Sequence, residues 1–166
     1  MTATKRTITL TLPSDREVVI TRVFDAPRDL VFKALTDPKS IPHWWGPRNQ
    51  RTKVDKMDLK PGGVWRFIHH DREGTENAFH GVYREIVPPE RLVYTFEWEG
   101  LPGHVLVETI TLEERDGQTT VTDRALFDSV EDRDGMLKSG METGAAESMD
   151  RLEELLAKER FEAARG

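Results

Sequence analysis

The residues closest to chemistry in this sequence are three histidines. His69, His70 and Asp71 are consecutive, and His80 follows them. Imidazoles titrate near neutral pH and bind zinc, so such a group suggests acid–base work or a metal site. Neighbouring residues of a strand point to opposite faces, so His69 and His70 cannot hold one ion without a bulge. His70 with His80 on an outer face is the metal alternative. Two solvated histidines is the plainer one, and no metal or cofactor is expected. His69 alternates with Trp65 and Phe67. It reads either as a polar anchor for a ligand carbonyl or hydroxyl, or as a satisfied histidine near a strand end. A general acid–base role needs a partner on the same face; Glu76 and Glu142 are the acids to consider.

Other reaction chemistry finds little support. There is no cysteine, which excludes disulfides and thiolate chemistry. None of Ser14, Ser40, Ser129, Ser139 and Ser148 sits in a nucleophile elbow. Pro61-Gly62-Gly63 lacks the lysine and spacing of a phosphate loop and reads as a turn. Asp55, Asp58, Glu113 and Glu114 read as solvated. No catalytic residue is assigned, which favours a protein that is not an enzyme. The 24 basic against 30 acidic residues give a net charge of −6, without the basic footprint of a nucleic-acid binder or the polybasic segment an anionic membrane attracts. No apolar run approaches the roughly 20 residues that span a bilayer, and the N-terminus has no signal-peptide character. The expected location is the cytoplasm, without membrane insertion.

The elements that must position these residues follow from periodicity. Residues 1–16 read as an arm or an added edge strand, and weak dimerisation through residues 6–12 is one use for it, so a monomer or weak homodimer is expected. Residues 17–24 are rich in β-branched types and read as a strand. Asp25 is placed as the cap of a helix with Pro27 in its first turn, ending at Asp37-Pro38. A short turn or helix then carries Ile41 to Pro47. Residues 52–59, 63–70, 78–87, 91–98, 105–114 and 119–127 read as consecutive strands joined by short loops, which implies an antiparallel meander. Asp116-Gly117 between two alternating runs is a hairpin signal. Residues 134–160 repeat apolar types every three or four positions and read as one long helix. The fold class is therefore α+β, with residues 17–160 as one domain and 161–166 as a frayed tail.

Strand alternation then places the aromatic residues. Trp65, Phe67, Phe79, Phe96 and Trp98 fall on faces opposite the long helix. The helix answers with Leu137, Met141, Gly144 and Ser148. Large rings facing small residues either pack tightly or enclose a cavity, and the residue types alone leave both open. Trp44-Trp45-Gly46-Pro47 either plugs one end of the sheet or gates a cavity mouth.

Several ordered motifs resemble one family. They are residues 19–27 (Val-Ile-Thr-Arg-Val-Phe-Asp-Ala-Pro), 31–38, His43-Trp44-Trp45-Gly46-Pro47, 58–67 (Asp-Leu-Lys-Pro-Gly-Gly-Val-Trp-Arg-Phe) and 81–92. Over residues 17–157 the chain resembles the heat-shock protein 90 ATPase activator homologue family of the START-like, SRPBCC or Bet v-like superfamily. The resemblance implies a helix-grip fold, a curved antiparallel sheet wrapped around a long C-terminal helix. It also implies a cavity between them, since superfamily members bind apolar molecules there and a few are cyclases or hydrolases. The eukaryotic activators carry an additional N-terminal domain that engages the chaperone. This chain has no room for one, so chaperone activation is not expected. The resulting expectation is binding of a small hydrophobic or amphipathic ligand. It is lined by Trp44, Trp45, Trp65, Phe67, His69, Phe79, Phe96, Trp98, Leu137, Met141, Gly144 and Ser148. The alternatives are a co-chaperone-like or regulatory interaction protein, or a cyclase, dehydratase or hydrolase using the same cavity.

Overall fold

The structure is a computed structural model that describes residues 8–165, with side chains to residue 163. Its strands are β1 (Thr9–Thr11), β2 (Glu17–Phe24), β3 (Arg51–Met57), β4 (Val64–His70), β5 (Glu76–Val87), β6 (Arg91–Trp98), β7 (Val105–Arg115) and β8 (Gln118–Leu126). Its helices are α1 (Arg28–Thr36), α2 (Ile41–Trp44), α3 (Val130–Lys138) and α4 (Met141–Arg165). The strands form one antiparallel sheet in the order β1-β2-β8-β7-β6-β5-β4-β3. The sheet curves around α4 in a helix-grip fold. Every connection from β3 to β8 joins spatial neighbours, as short loops require. At the β7–β8 hairpin Asp116 and Gly117 both have positive φ, 54° and 78°. That is the primed turn that Asp-Gly favours.

The concave face carries most of the core. Phe24, Val31, Ile41, Leu152 and Leu156 are almost fully buried where β2, α1, α2 and α4 meet. A second cluster, Val18, Ile20, Leu106, Ala125 and Phe127, lies nearer α3. Bulges in β3, between Val54 and Lys56, and in β5, between Tyr83 and Glu85, shift the register. They bend the sheet and reset the alternation beyond them. No helix among the described residues is long and apolar enough to cross a membrane.

Three expectations are corrected. Residues 134–160 are not one helix. Ser129 caps α3 by accepting the Asp132 N–H at 3.1 Å, and the chain breaks at Gly140, whose φ of +91° only glycine adopts freely. Leu137 and Met141 therefore lie on different helices. Asp25 does not cap α1; Pro27 holds that position without a side-chain hydrogen bond. Finally, α4 runs past residue 160 to Arg165, because the Phe161-Glu162-Ala163-Ala164-Arg165 tail contains good helix formers and no Pro or Gly. At the N-terminus Thr9–Thr11 pairs with β2; residues 1–7, including part of the expected edge interface, lie outside the described residues.

Candidate functional site

The concave face divides into two regions. On β4 and β5 it is aromatic, and Trp45 stands at its centre. The Trp45 ring meets Phe67 edge-on at 5.1 Å, Phe79 at 5.4 Å and Trp65 at 6.3 Å, and tilts against His69 at 4.8 Å and Phe96 at 6.5 Å. Such edge-to-face pairs add about 0.5–1.5 kcal/mol each beyond area burial. The backbone is pinned to hold that ring in place. Thr52 Oγ1 donates to the Trp45 carbonyl at 2.6 Å, and Ser148 Oγ on α4 donates to the Trp44 carbonyl at 3.0 Å and accepts the Gly46 N–H at 3.2 Å. Trp44 donates its indole N–H to the Ala34 carbonyl at 2.9 Å. Opposite Trp65 in the ladder stands Gly81, where a Cβ would collide with the Thr95 carbonyl that the Trp65 indole uses. The void beside this nest measures about 30 Å³, so this region is packed.

On β6, β7 and β8 the same face carries three polar side chains among apolar ones. Tyr94 stands directly across from Glu108, and Asp123 lies diagonal to Glu108, opposite Ile110. The three side chains interact with one another, with Glu108 in the middle. Burial pushes the Tyr94 hydroxyl and both carboxyls above their ordinary values, and the neighbouring Glu108 charge pushes Asp123 up further. Asp123 Oδ1 is buried without a hydrogen-bond partner. Above these groups, beneath α4, lies a cavity of about 150 Å³. Trp44, Trp45, Tyr94 and Phe96 line its aromatic side, and Ala145, Ser148 and Met149 face it from α4. Past Phe96 a second cleft of about 260 Å³ opens between α3 and the β6–β7 hairpin, lined by Trp98, Leu101, Leu106, Phe127 and Met136. Phe96 borders both spaces.

The expected residues therefore separate. Trp44, Trp45, Phe96 and Ser148 border the interior cavity. Trp65, Phe67 and Phe79 belong to the packed nest instead. Trp98 is 40% exposed at the end of β6, where α4 no longer covers it, and donates to Asn77 Oδ1 at 3.2 Å; it borders only the outer cleft. Leu137 and Met141 pack in the cluster nearer α3. Gly144 faces an open polar groove with Arg48 and Glu147, and nothing stands within 4 Å of a Cβ placed there. Its small size is thus unrelated to the cavity.

His69 borders neither space. It is wedged against Trp45, Phe79 and Gly46, with Nε2 buried and unpartnered. Burial there, helped by the Arg151 charge, lowers its imidazole to about 4, so it is neutral at ordinary pH. His70 pairs with Glu76 at 2.9 Å and His80 with Glu99 at 2.8 Å. The ladder sets His70 against Glu76 and His80 against Arg66, roughly 13 Å apart along the strands. They cannot share an ion.

Tyr94, Glu108 and Asp123 are the residues that sequence reasoning missed as a site. Glu108 alternates with Leu106, Ile110 and Leu112, and Asp123 with Val121 and Ala125. An acid in the apolar phase of a strand was the available signal.

The sequence profile of the family described as Activator of Hsp90 ATPase homolog 1-like protein matches residues 25–157. No curated protein matches the chain. Solved structures resemble it in fold. A protein from Rhodobacter sphaeroides is 24% identical, covers 92% of this chain and 99% of its own, and superposes with a TM-score of 0.86. A protein from Arthrobacter aurescens is 23% identical, with coverages of 90% and 91% and a TM-score of 0.84. DynU16, a protein in the dynemicin biosynthetic locus, is 23% identical, with coverages of 87% and 48% and a TM-score of 0.68.

Proposed function

The chain belongs to the Activator of Hsp90 ATPase homolog 1-like family, and from that premise we propose that it binds a small amphipathic molecule between the sheet and α4. The observation that carries this reading is the cavity of about 150 Å³ with aromatic walls and a polar floor. A pocket that is mostly apolar with a few convergent polar groups is the usual form of a small-molecule site. The ring walls take the apolar body, and Tyr94, Glu108 and Asp123 fix the polar end. Phe96 stands between this space and the cleft of about 260 Å³, so rotation of one ring joins the two for a longer ligand. Native mass spectrometry of freshly purified protein tests the reading. A co-purified small molecule, or saturable quenching of Trp44 and Trp45 emission by apolar compounds, is expected. No bound species and no quenching across a broad panel would remove it.

A second reading is favoured by one observation. Two half-buried carboxyls and a phenol with displaced protonation converge on the cavity, the arrangement that acid–base catalysis uses. A cyclase, dehydratase or hydrolase acting there would lose far more turnover than ligand affinity on Glu108→Gln.

A further inference from the structure

The polar floor specifies more than polarity. Glu108 and Asp123 bring four carboxyl oxygens together, with only the Tyr94 hydroxyl facing them across the ladder. Acceptors therefore outnumber donors, and Asp123 Oδ1 is buried with nothing to accept. A buried acceptor left unpaired costs about 1–3 kcal/mol, so such a group calls for a partner. Nearby cations do not meet the need. Arg22 lines the cavity, but its Nη1 is given to Asp150 on α4 at 2.9 Å and its buried Nε makes no hydrogen bond, to the acids or to any other group. Arg151 donates to the Gly46 carbonyl at 2.8 Å and does not line the cavity.

A second, independent feature points the same way. The walls above the acids are the rings of Trp44, Trp45, Tyr94 and Phe96. Aromatic faces attract cations through their quadrupoles, most strongly where water is excluded. Resting on the ligand-binding reading above, we propose that the occupant is an amine whose ammonium group is received by Glu108 and Asp123, with its apolar body against these rings. A neutral or anionic polar end fits less well. An ammonium draws the two carboxyls into their ionised, accepting form, which neither an anion nor a carbonyl does.

The probe is benzylamine, because a cavity of about 150 Å³ holds one benzene ring and its amine is protonated at neutral pH. Benzyl alcohol and toluene are its uncharged counterparts. Calorimetry and Trp fluorescence at neutral pH should show benzylamine binding at least about tenfold more tightly than either, the scale of a charge-assisted hydrogen bond. The double variant Glu108→Gln/Asp123→Asn should lose this preference, benzylamine binding no more tightly than benzyl alcohol, and a cooperative urea transition shows that it is folded. Equal affinity for amine and alcohol overturns the proposal and leaves the binding reading intact. Amine preference that survives in the double variant overturns the assignment to these carboxyls. Failure of all three probes to bind counts against the cavity as a site and removes both. If the double variant does not fold, the comparison of amine with alcohol on the unaltered chain decides.

Discussion

The two regions of one concave surface solve opposite problems. Over β4 and β5 three aromatic side chains and a histidine, joined by Phe96 from β6, close around Trp45 and leave about 30 Å³ empty. Over β6, β7 and β8 smaller and polar residues leave about 150 Å³. The buried titratable groups differ in the same sense. His69 in the nest is kept neutral by losing its proton. Glu108 and Asp123 beneath the cavity favour their neutral forms by keeping theirs. Burial disfavours charge in both places, and the chemistry of each group decides which way its proton moves. The packed region holds the fold, and the open one leaves a cavity beneath α4.

The largest expected effect breaks the packed region. Trp45→Ala removes the ring on which the nest converges and should cost about 3–5 kcal/mol, read as a lower urea midpoint. An unchanged midpoint would mean that the nest is not a stabilising unit.

Titration separates the two regions next. His69 has a folded value of about 4 against 6.5 in the unfolded chain. The unfolded state takes up the proton first, so stability present above 6.5 is lost as pH falls towards 4, by up to about 3 kcal/mol. His69→Leu should flatten that slope in urea melts. Glu108 and Asp123 are raised, so their contribution has the other sign. It is present at acidic pH and declines as pH rises beyond the ordinary carboxylate range. Glu108→Gln/Asp123→Asn should remove that decline and leave the acid-side loss in place.

Smaller effects concern the helices and the rim. Gly140→Ala forces a side chain into a left-handed position and should cost about 1–2 kcal/mol. Gly144→Ala enters open space within a helix and should stabilise by about 0.5 kcal/mol. Equal effects on the melting temperature would contradict the break at Gly140. The smallest effect is spectroscopic. Trp98 is 40% exposed while Trp44 and Trp65 are buried, so Trp98→Phe should remove most iodide-quenchable emission with little change in stability.

Much of this was legible in the residues. The β-branched run at 17–24, the Asp116-Gly117 turn and the alternation of Trp65, Phe67 and His69 are local signals, and each marks the element or face found. The family follows from ordered motifs such as Gly62-Gly63-Val64-Trp65. The site was only partly legible. Periodicity assigns a face but does not say how deep a position lies along it. Trp98 shares the phase of Phe96, yet it extends beyond the cover of α4. Gly140 and Gly144 look alike as small helical residues, but one is a break and the other faces an open groove.

The sequence by itself determined the order of the strands and of the first two helices and which residues of the strands share a face, because these follow from periods of two and 3.6 and from local turn chemistry, while the helix-grip architecture came with the family resemblance. Only the tertiary structure decided where the interior is full. That depends on how one ring, Trp45, enters from a separate segment and takes the volume beside β4 and β5. It also depends on three strands meeting in register, so that Tyr94, Glu108 and Asp123 become neighbours. Filling and neighbourhood are set by distances between segments far apart in the chain, which no local period records.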